Sequence, residues 1–233
     1  VVVAPYLPCG QCYYCNRGQP TLCEHLFEST PDPGGLAEWV RVPAQLAERG
    51  VLSVPDSVCS DVAALTEPLA CCVQAVEDCH VSSGDTVVVV GDGPMGQLNA
   101  AAARAYGAGQ VVVAGMTPSR LDLASRFYAD RVIDVRTQDL GEQVKALTSG
   151  RGADVVLVAV SATDAMQNGL NALRRGGRLN MFAGTSEGTT VALDMRRLHY
   201  DEWTLSNHIT EYKLKGPRDF VVLEYMLQDE EWH

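Results

Sequence analysis

The chain has 233 residues, 46% of them hydrophobic, and a formal charge of -11. That much apolar sequence fills more than one small core, so a globular protein of two regions is expected, with the charge serving solubility. No apolar run reaches the ~18 residues of a membrane span and no Lys/Arg cluster offers phosphate neutralisation, so neither a membrane nor a nucleic acid is an expected partner.

The chain opens on Val1-Val2-Val3-Ala4-Pro5 with no basic segment ahead of it. It reads as a polypeptide entered midway, not as a signal peptide. Of its eight cysteines, Cys9, Cys12, Cys15 and Cys23 are crowded into one loop, with Gly10, Asn16, Arg17, Gly18 and Pro20 supplying turn chemistry between them. Cys59, Cys71, Cys72 and Cys79 are scattered through apolar sequence and read as small buried hydrophobes. This distribution favours metal over disulfides, and with it a reducing compartment, the cytoplasm. Four thiolates on one short loop close a tetrahedral zinc site with no open position. Its role is then structural, the metal standing in for a core that so short a loop cannot build. A redox cluster or incidental cysteines are the alternatives; the spacing does not match ferredoxin runs.

Pro31-Asp32-Pro33-Gly34-Gly35 is a turn, and Leu36 to Val42 alternates well enough to read as a strand. Glu67 precedes Pro68 near a helix start, a place where an acid is favourable for structural reasons alone. Thr86-Val87-Val88-Val89-Val90 is a β-branched run of the kind buried on both faces of a parallel sheet. It leads directly into Gly91-Asp92-Gly93-Pro94-Met95-Gly96, and Leu98 to Ala105 continues as an Ala/Leu-rich helix. Alone, Gly-x-Gly-x-x-Gly is an ordinary tight turn. Between a strand and a helix it is the dinucleotide fingerprint, whose helix N-terminus holds a phosphate, so Gly91, Gly93, Pro94, Met95 and Gly96 are candidate cofactor residues.

Further strands are expected at Val111–Ala114, Val132–Val135, Val155–Val160 and Leu179–Ala183, with helices at about 95–106, 118–128, 139–148, 164–173 and 218–228. The alternation describes a doubly wound parallel α/β sheet with ligand at the carboxyl ends of its strands. An NAD-binding sheet of this kind ends its second strand in an acid for the ribose 2′-OH. Here that place is Gly115, and no Asp or Glu occurs from Ala105 to Leu121. Thr117, Ser119 and Arg120 offer hydroxyls and a guanidinium to a 2′-phosphate, so the balance leans to NADP over NAD; Arg120 as a plain surface residue is the competing reading.

The cysteine loop, Gly-Gly-Leu-Ala-Glu-Trp-Val-Arg-Val-Pro at 34 to 43, Glu67-Pro68-Leu69-Ala70 and the glycine fingerprint, in this order, resemble the zinc-containing medium-chain alcohol dehydrogenases, and within them the polyol and sugar dehydrogenase branch. The resemblance covers Cys9 to about Asn207. It implies a Rossmann sheet plus a partial β-rich GroES-like catalytic domain with a structural zinc lobe. The implied domains are 1–72 (partial catalytic), 73–207 (dinucleotide-binding) and 208–233 (start of a return to the catalytic domain). It implies zinc and NADP or NAD as cofactors, a small-molecule alcohol or ketone substrate, and a homodimer or homotetramer. Glu67 matches the Glu-Pro-Leu of sorbitol-like members and is implied as a catalytic-zinc ligand, in agreement with zinc's acceptance of carboxylate oxygen. Val160 and Phe182 are implied near the adenine and nicotinamide halves of the cofactor. Ser161 in place of a usual glycine and Tyr128 within a usual Gly-Ala-Asp are departures. His199 falls in a segment resembling sugar dehydrogenases and reads as a surface or capping residue before a catalytic base. The family's Cys ligand and Gly-His-Glu segment are not in these residues, so the chain is expected to be partial at both ends and inactive alone. A non-catalytic NAD(P)-binding protein is the competing function. A zinc-ribbon nucleic-acid binder is disfavoured by the acidic charge.

Overall fold

The computed structural model describes residues 1–207. The helix expected at 218–228 and the region expected at 208–233 lie outside the described residues. The chain forms two compact units, the first spanning Val1–Cys71 and the second beginning at Cys72.

In the first unit, β1 (Val2–Val3) is followed by α1 (Tyr13–Asn16) and, further on, α2 (Ala44–Arg49). The strand β2 (Val51–Leu52) returns antiparallel to β1, pairing Val2 with Leu52 and Val3 with Val51. Next comes α3 (Ser60–Ala63), and the unit ends within α4 (Thr66–Asp78). The strand expected at Leu36–Val42 is not formed. A single antiparallel bridge joins Asp32 to Arg41, and the residues between them bend. Alternating apolar residues make a strand only where a neighbour completes the ladder and a face covers the side chains. Here Leu36 and Trp39 are exposed, and no strand lies beside them among the described residues.

The second unit carries β3 (Thr86–Val90), α5 (Pro94–Ala105), β4 (Gln110–Gly115), α6 (Pro118–Phe127), β5 (Arg131–Asp134), α7 (Leu140–Leu147), β6 (Ala153–Val158), α8 (Thr163–Ala172), β7 (Leu173–Asn180), α9 (Met195–Tyr200) and β8 (Thr204–Ser206). The six strands form one parallel sheet in the order β5-β4-β3-β6-β7-β8. Successive strand residues face opposite sides. Val88, Val112 and Val156 therefore pack with Leu140, Val144 and Leu170 of α7 and α8 in one core. Val87, Val89, Val111 and Val113 point the other way and are equally buried. Ala100 to Ala103 are buried as well, so α5 settles close upon β3 and β4. Each such Val contributes about 1.5–3 kcal/mol of burial. The sheet's order reverses between β3 and β6, which opens a crevice at their carboxyl ends.

Strand β7 starts and stops earlier than the sequence pattern indicates. It follows α8 without a loop, and its register against β6 shifts between the Ala153↔Leu173 and Val155↔Arg178 pairs. Gly176, at φ +67°, takes up the extra residues in that bulge. The strand ends at Asn180, three residues short of the expected Ala183.

Leu157 is fully buried in the central strand β6, whereas Leu123 on α6 is 37% exposed. Leu157→Ala is expected to cost about 2–5 kcal/mol in denaturant unfolding, and Leu123→Ala less than about 0.5 kcal/mol.

Candidate functional site

The cysteine loop folds back on itself. Cys12 precedes α1, Cys15 lies within it, and Cys23 follows a 3-10 turn at Pro20–Leu22. The four Sγ atoms of Cys9, Cys12, Cys15 and Cys23 all lie within 4.8 Å of one another. Zinc–sulfur bonds of about 2.3 Å place tetrahedral sulfurs about 3.8 Å apart, so a small contraction completes the shell. Backbone N–H groups already point at the sulfurs: Cys9 and His25 donate to Cys23 Sγ at 3.3 Å each, and Cys12 donates to Cys9 Sγ at 3.3 Å. The N–H groups of Cys15 and then Glu24 lower the Cys12 thiol to about 6, and the Gln11 N–H lowers Cys9. Burial pushes Cys15 up to about 12. A loop that favours two thiolates but resists a further one is suited to a dication, which offsets the repulsion. The donor set fits zinc.

At the other candidate site the three fingerprint glycines have different causes. Gly91 sits at φ +124°, and a Cβ there would press to 2.8 Å from the Val160 side chain. A Cβ on Gly96 would collide with the Gly91 carbonyl. Both are demanded by the chain's own packing. Gly93 is different: it is the N-cap of α5, and a Cβ there would meet nothing within 4 Å. No side chain caps that helix, its first turn holds no acid, and Pro94 begins it. The N–H groups of Met95 and Gly96 thus lie at a helix N-terminus with open space above, a cradle that fits a pyrophosphate. Val160 and Phe182, both partly buried, lie just past the ends of β6 and β7 on the same carboxyl edge of the sheet.

Beside this cradle, the end of β4 holds a feature that the sequence reading passed over. Asp92, 8% exposed, turns its carboxylate toward Gly115. Its Oδ2 accepts from the N–H groups of Met116 at 2.9 Å and Thr117 at 2.6 Å. Arg120 Nη1 lies 3.8 Å from its Oδ1. Gln97 Nε2 donates to the Asp92 and Arg120 carbonyls, at 3.1 Å each. Gly115, Thr117 and Arg120 are therefore brought together, with Asp92 at the centre; Ser119 is exposed on the first turn of α6. The available signal was the acid inside the fingerprint coupled to a glycine at the second strand's end.

Glu67 lies in the first turn of α4, half-buried, in the first unit. Cys71, one turn on, donates to the Glu67 carbonyl at 3.4 Å and lies 3.8 Å from its Oε1. Burial and then the Glu67 charge push the Cys71 thiol up to about 12. Among the described residues, the four cysteines are the group with metal-competent spacing, and Glu67 stands outside it. His199 is exposed in the last turn of α9.

A parallel sheet that reverses its strand order over an open glycine cradle defines a dinucleotide-binding Rossmann unit. Residues 94–220 match the pattern described as zinc-binding dehydrogenase, and residues 1–56 match the alcohol dehydrogenase GroES-like domain. The chain belongs to the zinc-binding dehydrogenase family. It is 34% identical over 181 residues to a sorbitol dehydrogenase of Bacillus subtilis, covering 77% of this chain and 50% of the relative. It is 37% identical over 195 residues to an erythritol/L-threitol dehydrogenase of Mycolicibacterium smegmatis, covering 82% of this chain and 53% of the relative. The chain thus spans about half the length of the curated relatives it matches. A Sinorhizobium meliloti protein described as a zinc-binding dehydrogenase, solved with NADP bound, shares the fold at TM-score 0.86 and 23% identity, covering 97% of this chain and 66% of that one. Among the described residues no helix is long and apolar enough to cross a membrane.

Full-length protein is expected to retain zinc through gel filtration, and Cys15→Ser to lose it and melt several degrees lower; elemental analysis and a thermal scan check this. Thiolates must take up protons to release the metal, so zinc retention is expected to fall as pH falls, read by elemental analysis after gel filtration at successive pH values.

Proposed function

We propose that the protein is a zinc-dependent oxidoreductase that transfers a hydride between NAD(P) and a secondary alcohol or ketone of a polyol, sugar or sugar-derived compound. The observation that carries the reading is Gly93, whose missing side chain answers to no packing contact among the described residues and leaves the N-terminus of α5 open. The backbone N–H groups of Met95 and Gly96 bind and orient the pyrophosphate there. Gly91 and Gly96 hold the turn close to the strand, and Val160 and Phe182 flank the edge along which the rest of the cofactor extends. When bound, zinc supplies Lewis acidity toward an alcohol or carbonyl oxygen, and the nicotinamide supplies the hydride acceptor or donor. Glu67 contributes one carboxylate donor to that metal, while Cys9, Cys12, Cys15 and Cys23 hold a separate structural ion. The polyol class is supported by the sorbitol and erythritol/L-threitol dehydrogenases among the relatives.

The same reading divides the chain into a partial catalytic domain at 1–72, a dinucleotide-binding domain at 73–207 and a return segment at 208–233. The GroES-like match over residues 1–56 supports the first of these. On the proposed reading the protein acts in the cytoplasm, as a homodimer or homotetramer, on a small molecule and without nucleic-acid or membrane partners. Reduced cysteines and the -11 charge support that placement.

Two measurements test the function. Full-length protein assayed with NAD and NADP on a panel of polyols and sugar phosphates is expected to turn over, and to hold zinc beyond the cysteine site. Nucleotide binding without turnover would instead favour a non-catalytic binder. Gly93→Val is expected to lower thermal unfolding by no more than the few degrees of a weakened N-cap, while weakening dinucleotide binding by about tenfold or more in calorimetric titration, because its side chain occupies the phosphate's place.

A further inference from the structure

We infer that Asp92 is the residue that selects between the two dinucleotides, and that it selects NAD. The inference rests on the dinucleotide reading of the glycine turn.

A 2′-phosphate bound at the end of the second strand needs donors, and the chain has a suitable set there: the N–H groups of Met116 and Thr117, the hydroxyls of Thr117 and Ser119, and the Arg120 guanidinium. In the structure the protein's own carboxylate already takes the two N–H groups, at 2.9 and 2.6 Å. The Arg120 cation, 55% exposed, is drawn to the same carboxylate, 3.8 Å away. An arriving phosphate would displace these bonds and meet a fixed negative charge on a side chain that is only 11% exposed and thus weakly screened by water. An unphosphorylated ribose meets no such repulsion. Asp92 Oδ1, whose contact with Arg120 is longer than a hydrogen bond, is a suitable acceptor for a ribose hydroxyl.

Gly115 and Asp92 are complementary in shape. A Cβ on Gly115 would collide with Asp92 Cβ and Cγ, both within 2.5 Å. The second strand lacks its own acid because the volume beyond it is filled by an acid from the neighbouring turn. Pairing of Val90 with Ala114 puts Asp92 beside that position. Gln97 tethers the backbone of Asp92 to that of Arg120 through one amide nitrogen, which fixes the carboxylate where it is. The missing acid at Gly115 therefore does not leave the site uncharged; the charge is supplied by the turn that follows β3.

The test is calorimetric titration of the full-length protein with NADH and NADPH, repeated for Asp92→Asn and Arg120→Ala. Asn keeps an acceptor for the two N–H groups and removes the charge. Wild type is expected to bind NADH more tightly than NADPH by about tenfold or more, and Asp92→Asn to narrow that ratio by about tenfold. Arg120→Ala is expected to preserve the NADH preference. Equal or tighter binding of NADPH by wild type overturns the inference while leaving the dinucleotide reading intact, and needs no variant to fold. So does an unchanged ratio in a folded Asp92→Asn protein. Binding of neither nucleotide overturns both.

Discussion

The second unit depends on one close approach, that of the first turn of α5 to the carbonyl of Gly91. There is no room for a side chain at Gly96, and at Gly91 the left-handed backbone and the Val160 side chain exclude one as well. With those two positions bare, the helix leaves the strand at once and lies flat on the sheet through the buried run Ala100 to Ala103. Small residues along that face bring the helix close, and the closeness holds its N-terminus over the carboxyl end of β3. The ligand cradle is thus a by-product of packing that the core demands anyway. Of the three glycines, Gly93 alone has no packing constraint among the described residues.

The first unit solves a different problem. Its cysteine loop offers little to bury: α1 contains no buried residue, and Tyr13 and Leu22 are exposed. Hydrophobic burial cannot hold such a segment, so the order must come from the converging sulfurs and the N–H groups aimed at them. This is why the loop could be read from spacing alone. Four cysteines at short intervals between turn-forming residues leave few ways to fold other than around a common centre.

Legibility in the sequence follows the same division. The apolar runs of β3, β4 and β6 were readable because a strand buried on both faces is apolar and β-branched almost throughout, and each run placed its strand to within two residues, whereas the short edge strand β8 carries no such run. Leu36 to Val42 shows where that logic fails. Alternation describes a strand's faces but not whether a partner exists, and at this segment the only ladder contact among the described residues is Asp32 with Arg41. The bulge at Gly176 moved β7 for a related reason, since register is set by the neighbouring strand and not by composition. Glycines and cysteines of the sites were likewise visible as motifs. Asp92 was not, because its meaning depends on which strand lies next to it; the acid was sought along β4, where the chain has none, and it arrives sideways from β3.

That sideways arrival is part of a wider habit. At the amino-terminal edge of the sheet, Asp154 of β6 accepts from the Thr86 N–H of β3 at 2.8 Å and pairs with Arg174. Asp130 accepts from the Val111 N–H of β4 at 2.7 Å and pairs with Arg104; burial opposes its ionisation, but these partners outweigh it and hold its pKa below the usual carboxylate range. Asp85 accepts from the Ser82 N–H at 3.1 Å and pairs with Arg178. In each case a carboxylate satisfies a backbone donor, of a strand for Asp154 and Asp130 and of the loop before β3 for Asp85, and an arginine balances its charge. The acidic composition therefore does more than keep the chain in solution. Asp92 is the same device turned to the opposite edge, where the donors it satisfies are also those a nucleotide would seek. A carboxylate that at one end of the sheet only completes the fold occupies, at the other, the donors that a 2′-phosphate would need.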